Sequence, residues 1–454
     1  MLKSWQAITL WKRVLIGLAV GMLIGLALFY GWPKPPLPEG ATAEQIANHK
    51  DVLYGGKIAK DVILPFGTAF VNLIKMLVVP LIATTLVAGV TAMGDPKKLG
   101  SLGARTLGLY LLTTFFAVSL GLAMGTIIQP GAGVNYKTDN NEAIDAVKGK
   151  LEKAEAASGT MVDKLLEIIP TNPLEALAGG NVLQIIFFAV LLGIGILVCG
   201  EKAEPLKKFF DAAAEVVMKI TMLVMELAPF GVLALMAWVI GTQGFGVVAN
   251  MGKLAIALYA CCILQIVLIY AGLIVKGILG MPVRQFFRGI ADAQGVAFST
   301  SSSSATLPVT ISCAENNLGV KKSVAGSVLP LGATINMDGT AIYLGLIALF
   351  AAQAIGLQLT MGDYFNVALT ATLVSIGAAG IPSAGLLLAA TVLAVIGVNN
   401  DEALLVIAFI FPFDRLLDMM RTVTNVTGDI AVACTVAKWE GALDEEVFKS
   451  EATI

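Results

Sequence analysis

The stretch STSSSSATLP, residues 299–308, places five serines and two threonines inside a very apolar part of the chain. GVAF precedes this stretch and VTISC follows it, which is not the setting of a solvent-exposed linker. A second run of small residues, SIGAAGIPSAG at 375–385, interrupts another apolar segment in the same way. These interruptions decide the fold, because irregular backbone in a membrane survives only within protein or against a water-filled cavity.

The composition indicates an all-α integral membrane protein. The 454 residues are 57% hydrophobic and only 14% charged, with a mean hydropathy of +0.83, whereas a soluble domain carries about a quarter charged residues. The net charge of −2 gives no indication of nucleic-acid binding. Five scattered cysteines and the single His49 do not form the spacing of a disulfide framework, a metal cluster or a histidine-based triad.

Eight apolar segments are long enough to cross a bilayer, which takes about 20 helical residues. They cover 12–32, 59–94, 102–130, 181–199, 205–242, 250–281, 319–357 and 401–438. Two further segments, 284–316 and 361–398, are interrupted at their centres, so that neither half is long enough to span. We predict eight transmembrane helices plus two re-entrant helical hairpins.

Lysine and arginine residues predict the orientation of these spans. They lie at 97–105, 202–208 and 284–288, after alternate spans, which places the N- and C-termini in the cytoplasm of a cell (plasma or inner) membrane. The long, mixed-charge loop 131–178 is then extracytoplasmic, and the tail 439–454 is cytoplasmic.

The C-terminal half contains the same order of elements twice, a hairpin followed by a long helix. Each interrupted hairpin precedes a long helix with polar residues at its centre, LGATINMDGT at 331–340 in one and DRLLDMMRTVTNVTGD at 414–429 in the other. Because the two hairpins enter from opposite sides, the repeat is inverted. Inverted repeats with interrupted helices are typical of the binding sites of secondary transporters.

Ionisable residues in the last span indicate the ligand. Asp414, Asp418, Arg421, Asn425 and Asp429 are separated by four, three, four and four residues, so they follow one stripe of a helix. Charges inside a membrane segment are costly and mark function by default. Arg421 can bind a carboxylate with two parallel hydrogen bonds, and Asp418 can receive an ammonium group. Together they favour an amino acid with an additional carboxylate; the alternative is that they simply pair with each other.

A second set of polar residues indicates the coupling ion. Asn336 and Asp338 lie in one predicted helix break, and Asn425 and Asp429 lie in a second predicted break at 414–429. Carboxylate, amide and freed carbonyl oxygens suit sodium. Two buried carboxylates without cationic neighbours would otherwise bind protons, so a proton is the alternative. Further oxygen ligands at helical spacing come from the third span: Tyr110, Thr113 and Thr114.

The motifs SSSSATLP, NMDGT, GAAGIPSAG and DMMRTVTNVTGD, in this order, resemble those of the glutamate transporter family of dicarboxylate and amino acid:cation symporters. FVNLIKMLVVPL at 70–81 also resembles the second helix of that family. The resemblance covers nearly the whole chain. It implies a homotrimer in which a mobile transport domain slides across the membrane like an elevator, with the second hairpin as its gate.

The resemblance also implies a division of the chain. The scaffold would comprise 1–94 and 179–242, which contain spans one, two, four and five. The transport domain would comprise span three at 95–130, span six at 250–283, the first hairpin at 284–316, the broken helix at 319–357, the second hairpin at 361–398 and the last helix at 401–438.

The family's binding residues carry over to matching positions. Arg421 would bind the side-chain carboxylate of the substrate, Asp418 its amino group, and Asp414 would orient Arg421. The substrate site would be completed by Ser303, supported by Ser302, and by Thr340, Ile381, Gly385, Thr422 and Asn425. The first sodium site would use Gly332, Asn336, Asn425 and Asp429, and the second Tyr110, Thr113, Thr114, Asn336 and Asp338. A third would use the backbone carbonyls of Thr334, Ser375, Ile376 and Ala378.

Two residues choose among the branches of the family. Arg421 argues against neutral amino acids, and Asp418 argues against dicarboxylates, which have no ammonium group. We therefore predict a sodium-driven symporter of L-aspartate or L-glutamate without an organic cofactor. The alternative is a proton- or sodium-driven C4-dicarboxylate symporter. Ser301 and Met419 occupy positions where relatives often carry a second arginine, so potassium counter-transport is not expected. A channel is disfavoured by the charged stripe, and a serine hydrolase by the lack of a glycine-flanked nucleophile.

Overall fold

The computed structural model describes residues 8, 10–31, 58–91, 102–133, 166, 168–243, 246–378, 380, 382–398 and 400–450. Over these ranges the chain is helical, apart from one isolated β-bridge between Val320 and Leu443. Five helical stretches are long and apolar enough to cross a membrane: Lys12–Gly31, Ala104–Ile128, Val182–Met225, Val248–Ile278 and Lys322–Ala354. The all-helical membrane protein expected from the composition is confirmed, while the count of eight crossings stays a prediction.

The helices are α1 (Leu10–Gly31), α2 (Leu64–Thr91), α3 (Ala104–Ile128), α4 (Pro173–Gly179), α5 (Val182–Cys199), α6 (Glu204–Met225), α7 (Ala228–Gln243), α8 (Gly246–Leu264), α9 (Val283–Thr300), α10 (Ser303–Ser312), α11 (Lys322–Ile335), α12 (Asp338–Ala354), α13 (Met361–Ile376), α14 (Ala384–Val395), α15 (Asn400–Trp439) and α16 (Glu445–Lys449). Wider π-type turns precede α2 and extend α8 and α10, at Ala59–Ile63, Gln265–Ile278 and Cys313–Asn317.

Two groups of helices account for most of the packing. In the first group, α2 contacts α5, α6 and α7, and α7 lies along α1. In the second group, α15 is central and contacts α9, α11, α12 and α14, while α3 packs on α12. The groups meet where α7 and α1 touch α15, where α2 touches α11 and α14, and where α5 touches α13.

Glycines of α1 bring that helix close to α7. A Cβ built on Gly21 would lie 2.5 Å from the carbonyl oxygen of Leu233, and one on Gly25 would lie 2.6 Å from the Ile240 Cβ. With Gly17 they form a stripe at every fourth position. Small residues at this spacing let membrane helices approach until their backbones touch, which maximises van der Waals packing.

The apolar segment 205–242, a predicted span that is too long for one perpendicular crossing, is divided into two helices. Helix α6 ends at Met225, a turn follows at Glu226 and Leu227, and α7 begins immediately afterwards. Pro229 has no backbone N–H to continue the ladder, so the helix restarts there. Arg13 of α1 binds the Glu226 carboxylate in this turn with N···O distances of 2.6 and 3.2 Å.

Three of the four predicted interruptions coincide with helix ends. Helix α9 ends before Ser301, which has a left-handed φ of 54°, and α10 restarts with Ser302 as its N-cap. Helix α11 stops before Asn336. Helices α13 and α14 flank the second run of small residues. The break predicted at 414–429 is wrong, because α15 runs for 40 residues through this polar stripe without interruption.

Candidate functional site

Arg421 lies at the centre of α15 with 0% of its side chain exposed. Its Nη2 donates to Asp414 Oδ1 at 3.0 Å and lies 2.8 Å from Asp418 Oδ1. The guanidinium sits 3.9 Å above the centre of the Tyr343 ring, and the Tyr343 hydroxyl donates to Asp414 at 2.7 Å. The predicted orientation of Arg421 by Asp414 thus has a matching contact. Among the described residues, Arg421 Nε and Nη1 have no hydrogen-bond partner.

A glycine lets α14 pack closely against the unpartnered Nη1 of this guanidinium. A Cβ built on Gly385 of α14 would lie 2.8 Å from Arg421 Nη1 and 2.8 Å from Thr340 Cγ2 of α12. Helices α12, α14 and α15 therefore converge on one point, bordered by three of the residues implied by the resemblance. A buried donor without a partner is energetically costly, so Arg421 Nη1 is suited to binding an anionic group.

Both carboxylate oxygens of Asp418 have partners. Oδ1 pairs with Arg421, and Oδ2 accepts a hydrogen bond from the backbone N–H of Ser383 at 2.7 Å. The alternative in which Asp418 and Arg421 pair with each other is therefore the arrangement observed here. The Thr422 hydroxyl donates back to the Asp418 main-chain oxygen at 2.9 Å, so it is used within its own helix.

The tips of the two interrupted segments contact each other. The Ser302 hydroxyl donates to the carbonyl of Gly380 at 2.6 Å, and the Ser304 N–H donates to the same carbonyl at 3.1 Å. Ser303, which lies between these two serines in the sequence, is buried at the start of α10. Ile381, which the resemblance also assigns to the substrate site, lies outside the described residues.

The four residues of the first predicted sodium site come together where α11 ends against α15. Asn336 Nδ2 donates to Asp429 Oδ1 at 2.9 Å and to the carbonyl of Asn425 at 3.3 Å. The Asn336 N–H donates to the Gly332 carbonyl at 2.9 Å. A Cβ on Gly332 would lie 2.6 Å from Asp429 Oδ1, so only glycine allows this approach.

Asn425 closes the break between α11 and α12. Its Oδ1 accepts a hydrogen bond from the Gly339 N–H at 2.8 Å, and its Nδ2 lies 3.2 Å from the sulfur of Met337. The side chain therefore fills part of the gap in the helical ladder, and α12 starts against α15.

Asp338 collects the second predicted set. It is fully buried, and Thr114 Oγ1 donates to its Oδ1 at 2.6 Å. The Thr113 hydroxyl lies 3.4 Å from Asn336 Oδ1. The hydroxyls of both threonines also donate to the carbonyl of Tyr110, at 3.1 and 2.7 Å.

Two further partners of Asp338, which the motifs did not indicate, lie on the π-type turns that extend α8. Tyr270 donates to Asp338 Oδ2 at 2.5 Å, and Gln265 Nε2 donates to the same oxygen at 3.1 Å. A glutamine inside the apolar run CCILQIVLIY was the available signal. Tyr343, beneath Arg421, was missed because a tyrosine in an apolar helix is usually read as packing.

The third predicted sodium set surrounds the end of α13. Ser375, Ile376 and Ala378 lie there, and the Ala378 N–H donates to the Ser375 carbonyl at 3.0 Å, whereas Thr334 lies in the last turn of α11. The carbonyl oxygen of Ala333, the residue before Thr334, lies close to Gly380 at the second tip, because a Cβ built on Gly380 would lie 2.6 Å from that oxygen.

Within the described ranges no group of three or more histidine, cysteine, aspartate or glutamate side chains converges. Each predicted ion set contains at most one carboxylate and otherwise amide, hydroxyl and backbone oxygens. Oxygen sets with at most one charged ligand suit a monovalent cation better than a transition metal.

A sequence model of the sodium:dicarboxylate symporter family matches residues 10–439. The chain belongs to the sodium:dicarboxylate symporter family. It is 33% identical over 441 residues to the proton/sodium-glutamate symport protein of Geobacillus stearothermophilus, with 96% of each chain covered. It is 33% identical over 438 residues to the protein of that name from Bacillus subtilis (strain 168), covering 95% and 94%. It is 37% identical over 380 residues to the C4-dicarboxylate transport protein of Rhizobium johnstonii, covering 84% of each.

Membership confirms the resemblance drawn from the four ordered motifs. The family and these relatives are transporters rather than enzymes, which agrees with the exclusion of a hydrolase. The symporter is a multi-pass membrane protein for a small carboxylate-bearing solute. The relatives include both glutamate and C4-dicarboxylate transporters, so membership does not choose between the two substrate classes.

Proposed function

We propose that this symporter imports L-aspartate or L-glutamate together with sodium. The observation that carries the proposal is Arg421 Nη1, which has no partner among the described residues and lies beside Gly385 of α14. A substrate carboxylate can accept a charge-assisted hydrogen bond from Nη1 while Asp414 and Tyr343 hold the guanidinium in place.

Asp418 gives the preference for an amino acid. One of its oxygens holds the Ser383 N–H and the other faces Arg421. An arriving ammonium group can bind this carboxylate while the substrate carboxylate takes over part of the charge of Arg421. The pair observed in the structure thus exchanges its mutual contact for contacts with a zwitterion of complementary charge.

The remaining assigned residues line the approach to this pair. Ser303 and Ser302 would face the substrate from the first tip, and Gly385 and Ile381 from the second. Thr422 and Asn425 would bind from α15.

Coupling to sodium is supported by the buried oxygen clusters around Asp338 and Asp429. In each cluster an oxygen of the carboxylate accepts hydrogen bonds from neighbouring side chains. A bound cation would replace these hydrogen bonds by contacts with the oxygen atoms of the same residues. Because Asn336 and Asn425 contact both the ion clusters and the start of α12, ion binding would order the floor of the substrate site.

The two helix groups fit an elevator. We assign the first group to the scaffold and the second group, together with α8, α10 and α13, to the transport domain. Both termini would be cytoplasmic in the cell membrane, and the protein would be a homotrimer. In this arrangement the two interrupted segments are re-entrant hairpins, the second being the gate.

A specific observation favours the second candidate, a proton- or sodium-coupled C4-dicarboxylate symporter. Asp418 is already neutralised by Arg421 and Ser383, so the site does not require an ammonium group. The Rhizobium johnstonii relative carries the C4-dicarboxylate name.

Uptake into proteoliposomes separates the two. Purified protein is reconstituted, and accumulation of radiolabelled L-aspartate and succinate is followed under an inward gradient of sodium or of protons. The proposal expects saturable aspartate accumulation that disappears when choline replaces sodium. Succinate uptake that aspartate does not inhibit would reject the amino acid, and aspartate uptake driven by protons alone would reject sodium.

A further inference from the structure

A second buried arginine lies near the substrate site without belonging to the residues assigned to it. Arg415 of α15 is 9% exposed, and its Nη2 donates to the carbonyl oxygen of Thr300 at 3.0 Å. Thr300 is the last residue of α9, and Ser301 after it has a left-handed φ of 54°. The guanidinium therefore sits at the C-terminal end of α9, where the helix dipole favours a positive charge.

The second tip is held by the opposite charge. Asp418 accepts the Ser383 N–H at 2.7 Å, and Ser383 is the residue just before α14. An acidic group at a helix N-terminus is the matching electrostatic arrangement. Arg415 and Asp418 are three residues apart on α15, so neighbouring turns of one helix each hold one tip.

The two contacts that hold the tips, Arg415 with Thr300 and Asp418 with Ser383, differ in which other groups compete for them. Asp418 also pairs with Arg421, and the proposed substrate would bind the same carboxylate. The only hydrogen bond of Arg415 within the described residues goes to Thr300. Its Nε and Nη1 have no partner there, and the side chain borders a void of about 10 Å³ that is lined mainly by apolar side chains of α1, α6 and α7. Substrate therefore competes for the anchor of the second tip and not for that of the first.

The tips also hold each other, through the two hydrogen bonds that Ser302 and Ser304 donate to Gly380. When the second tip lifts, those bonds break. The bond from Arg415 to Thr300 is then a remaining link between the first tip and α15.

We propose that Arg415 is a positioning residue that keeps the first tip closed while the second tip opens. Opening would then be confined to one hairpin, although the two segments have similar tips of small residues. The inference rests on the proposed function only in treating the second hairpin as the gate. The contact that it invokes can be measured without any substrate.

The test uses a cysteine at Ser301, which is 1% exposed and whose hydroxyl has no partner among the described residues. The full chain carries Cys199→Ala, because Cys199 is exposed and the other four cysteines are buried. Ser301→Cys is labelled with a maleimide in detergent, with Arg415 intact and with Arg415→Met or Arg415→Lys. A cysteine at the buried Ala384 in α14 is the matched control.

We expect Arg415→Met to speed labelling at position 301 about tenfold or more, since a lost hydrogen bond to a charged group shifts an opening equilibrium by roughly that factor. Arg415→Lys should restore protection, because lysine keeps the charge and one donor. Labelling at position 384 should change less than about twofold. If Arg415→Met does not fold, Arg415→Gln, which is too short to reach Thr300, replaces it with the same expectation.

Unchanged labelling at position 301, or an equal rise at both positions, would overturn the proposal.

In proteoliposomes, Arg415→Met should lower the maximal accumulation of radiolabelled L-aspartate and change its half-saturation concentration less than about threefold. A loss of aspartate affinity with protected labelling would make Arg415 a substrate contact instead. If the unmodified chain fails to transport aspartate while the labelling contrast persists, the proposed function is wrong and the role of Arg415 stands.

Discussion

Replacing Asp418 by asparagine tests whether this carboxylate recognises an ammonium group. The change keeps the shape of the side chain and an oxygen that can accept the Ser383 N–H, which the carboxylate binds at 2.7 Å. It removes the negative charge that lies 2.8 Å from Arg421. Loss of a charge-assisted hydrogen bond to a buried group costs about 2 kcal/mol, which corresponds to roughly 30-fold in affinity.

The informative quantity is the ratio of two inhibition constants. L-Aspartate and succinate share the carboxylate that Arg421 is proposed to bind, and only aspartate carries an ammonium group. Any effect of Asp418→Asn on Arg421 or on the second tip acts on both ligands, so it cancels in the ratio. We expect the ratio to shift towards succinate by about 30-fold, measured by competition against radiolabelled aspartate in proteoliposomes.

Asp292→Asn provides the matched control, because it makes the same chemical change at an exposed position of α9. The ratio should stay at the value of the unmodified protein. If Asp418→Asn weakens aspartate and succinate equally, Asp418 serves only to hold Arg421 and Ser383. The reasoning from charge complementarity would then be refuted, and the C4-dicarboxylate alternative would gain support.

Three further substitutions test other parts of the structure. Gly385→Ala puts a Cβ 2.8 Å from Arg421 Nη1, so the half-saturation concentration for aspartate should rise about tenfold in uptake assays of the normally folded protein. An unchanged half-saturation concentration would show that Nη1 does not bind the substrate carboxylate. Asp338→Asn should raise the sodium concentration for half-maximal thermal stabilisation at least about tenfold, because a charged ligand is lost; an unaltered sodium response would remove Asp338 from the ion sites. Gly21→Val would press a branched side chain into the Leu233 carbonyl, and should destabilise the protein by about 1–3 kcal/mol, read as a lower midpoint of thermal unfolding in detergent; an unchanged midpoint would contradict the close α1–α7 contact.

The surroundings of Arg421 are compatible with either of the two proposed substrate classes. Its guanidinium is fixed by Asp414, by the Tyr343 ring and by Asp418, and still retains an unpartnered edge. In the proposed function Nη1 binds a carboxylate of either substrate class. Discrimination would then depend on Asp418, whose Oδ2 accepts the N–H of Ser383 at the second tip.

The helix breaks and the polar stripe were predictable from the sequence because the membrane restricts the alternatives. Small-residue runs at 299–308 and 375–385 and the LGATINMDGT motif are rare interruptions in an apolar chain, and each coincides with helix ends. The turn at Glu226 was not predicted. Hydropathy alone does not register a proline that restarts a helix inside an apolar run.

The sequence by itself determined the helical membrane fold, its interruptions and the spacing of the charges along α15, since these depend on local composition and on helical periodicity. Only the tertiary structure decided which groups meet. It brought Gln265 and Tyr270 to Asp338, set Tyr343 under Arg421 and placed Arg415 on the end of α9. The physical reason is that a buried polar group takes its partners from whichever helices pack around it, and Thr114, a partner of Asp338, lies 224 positions away in the chain.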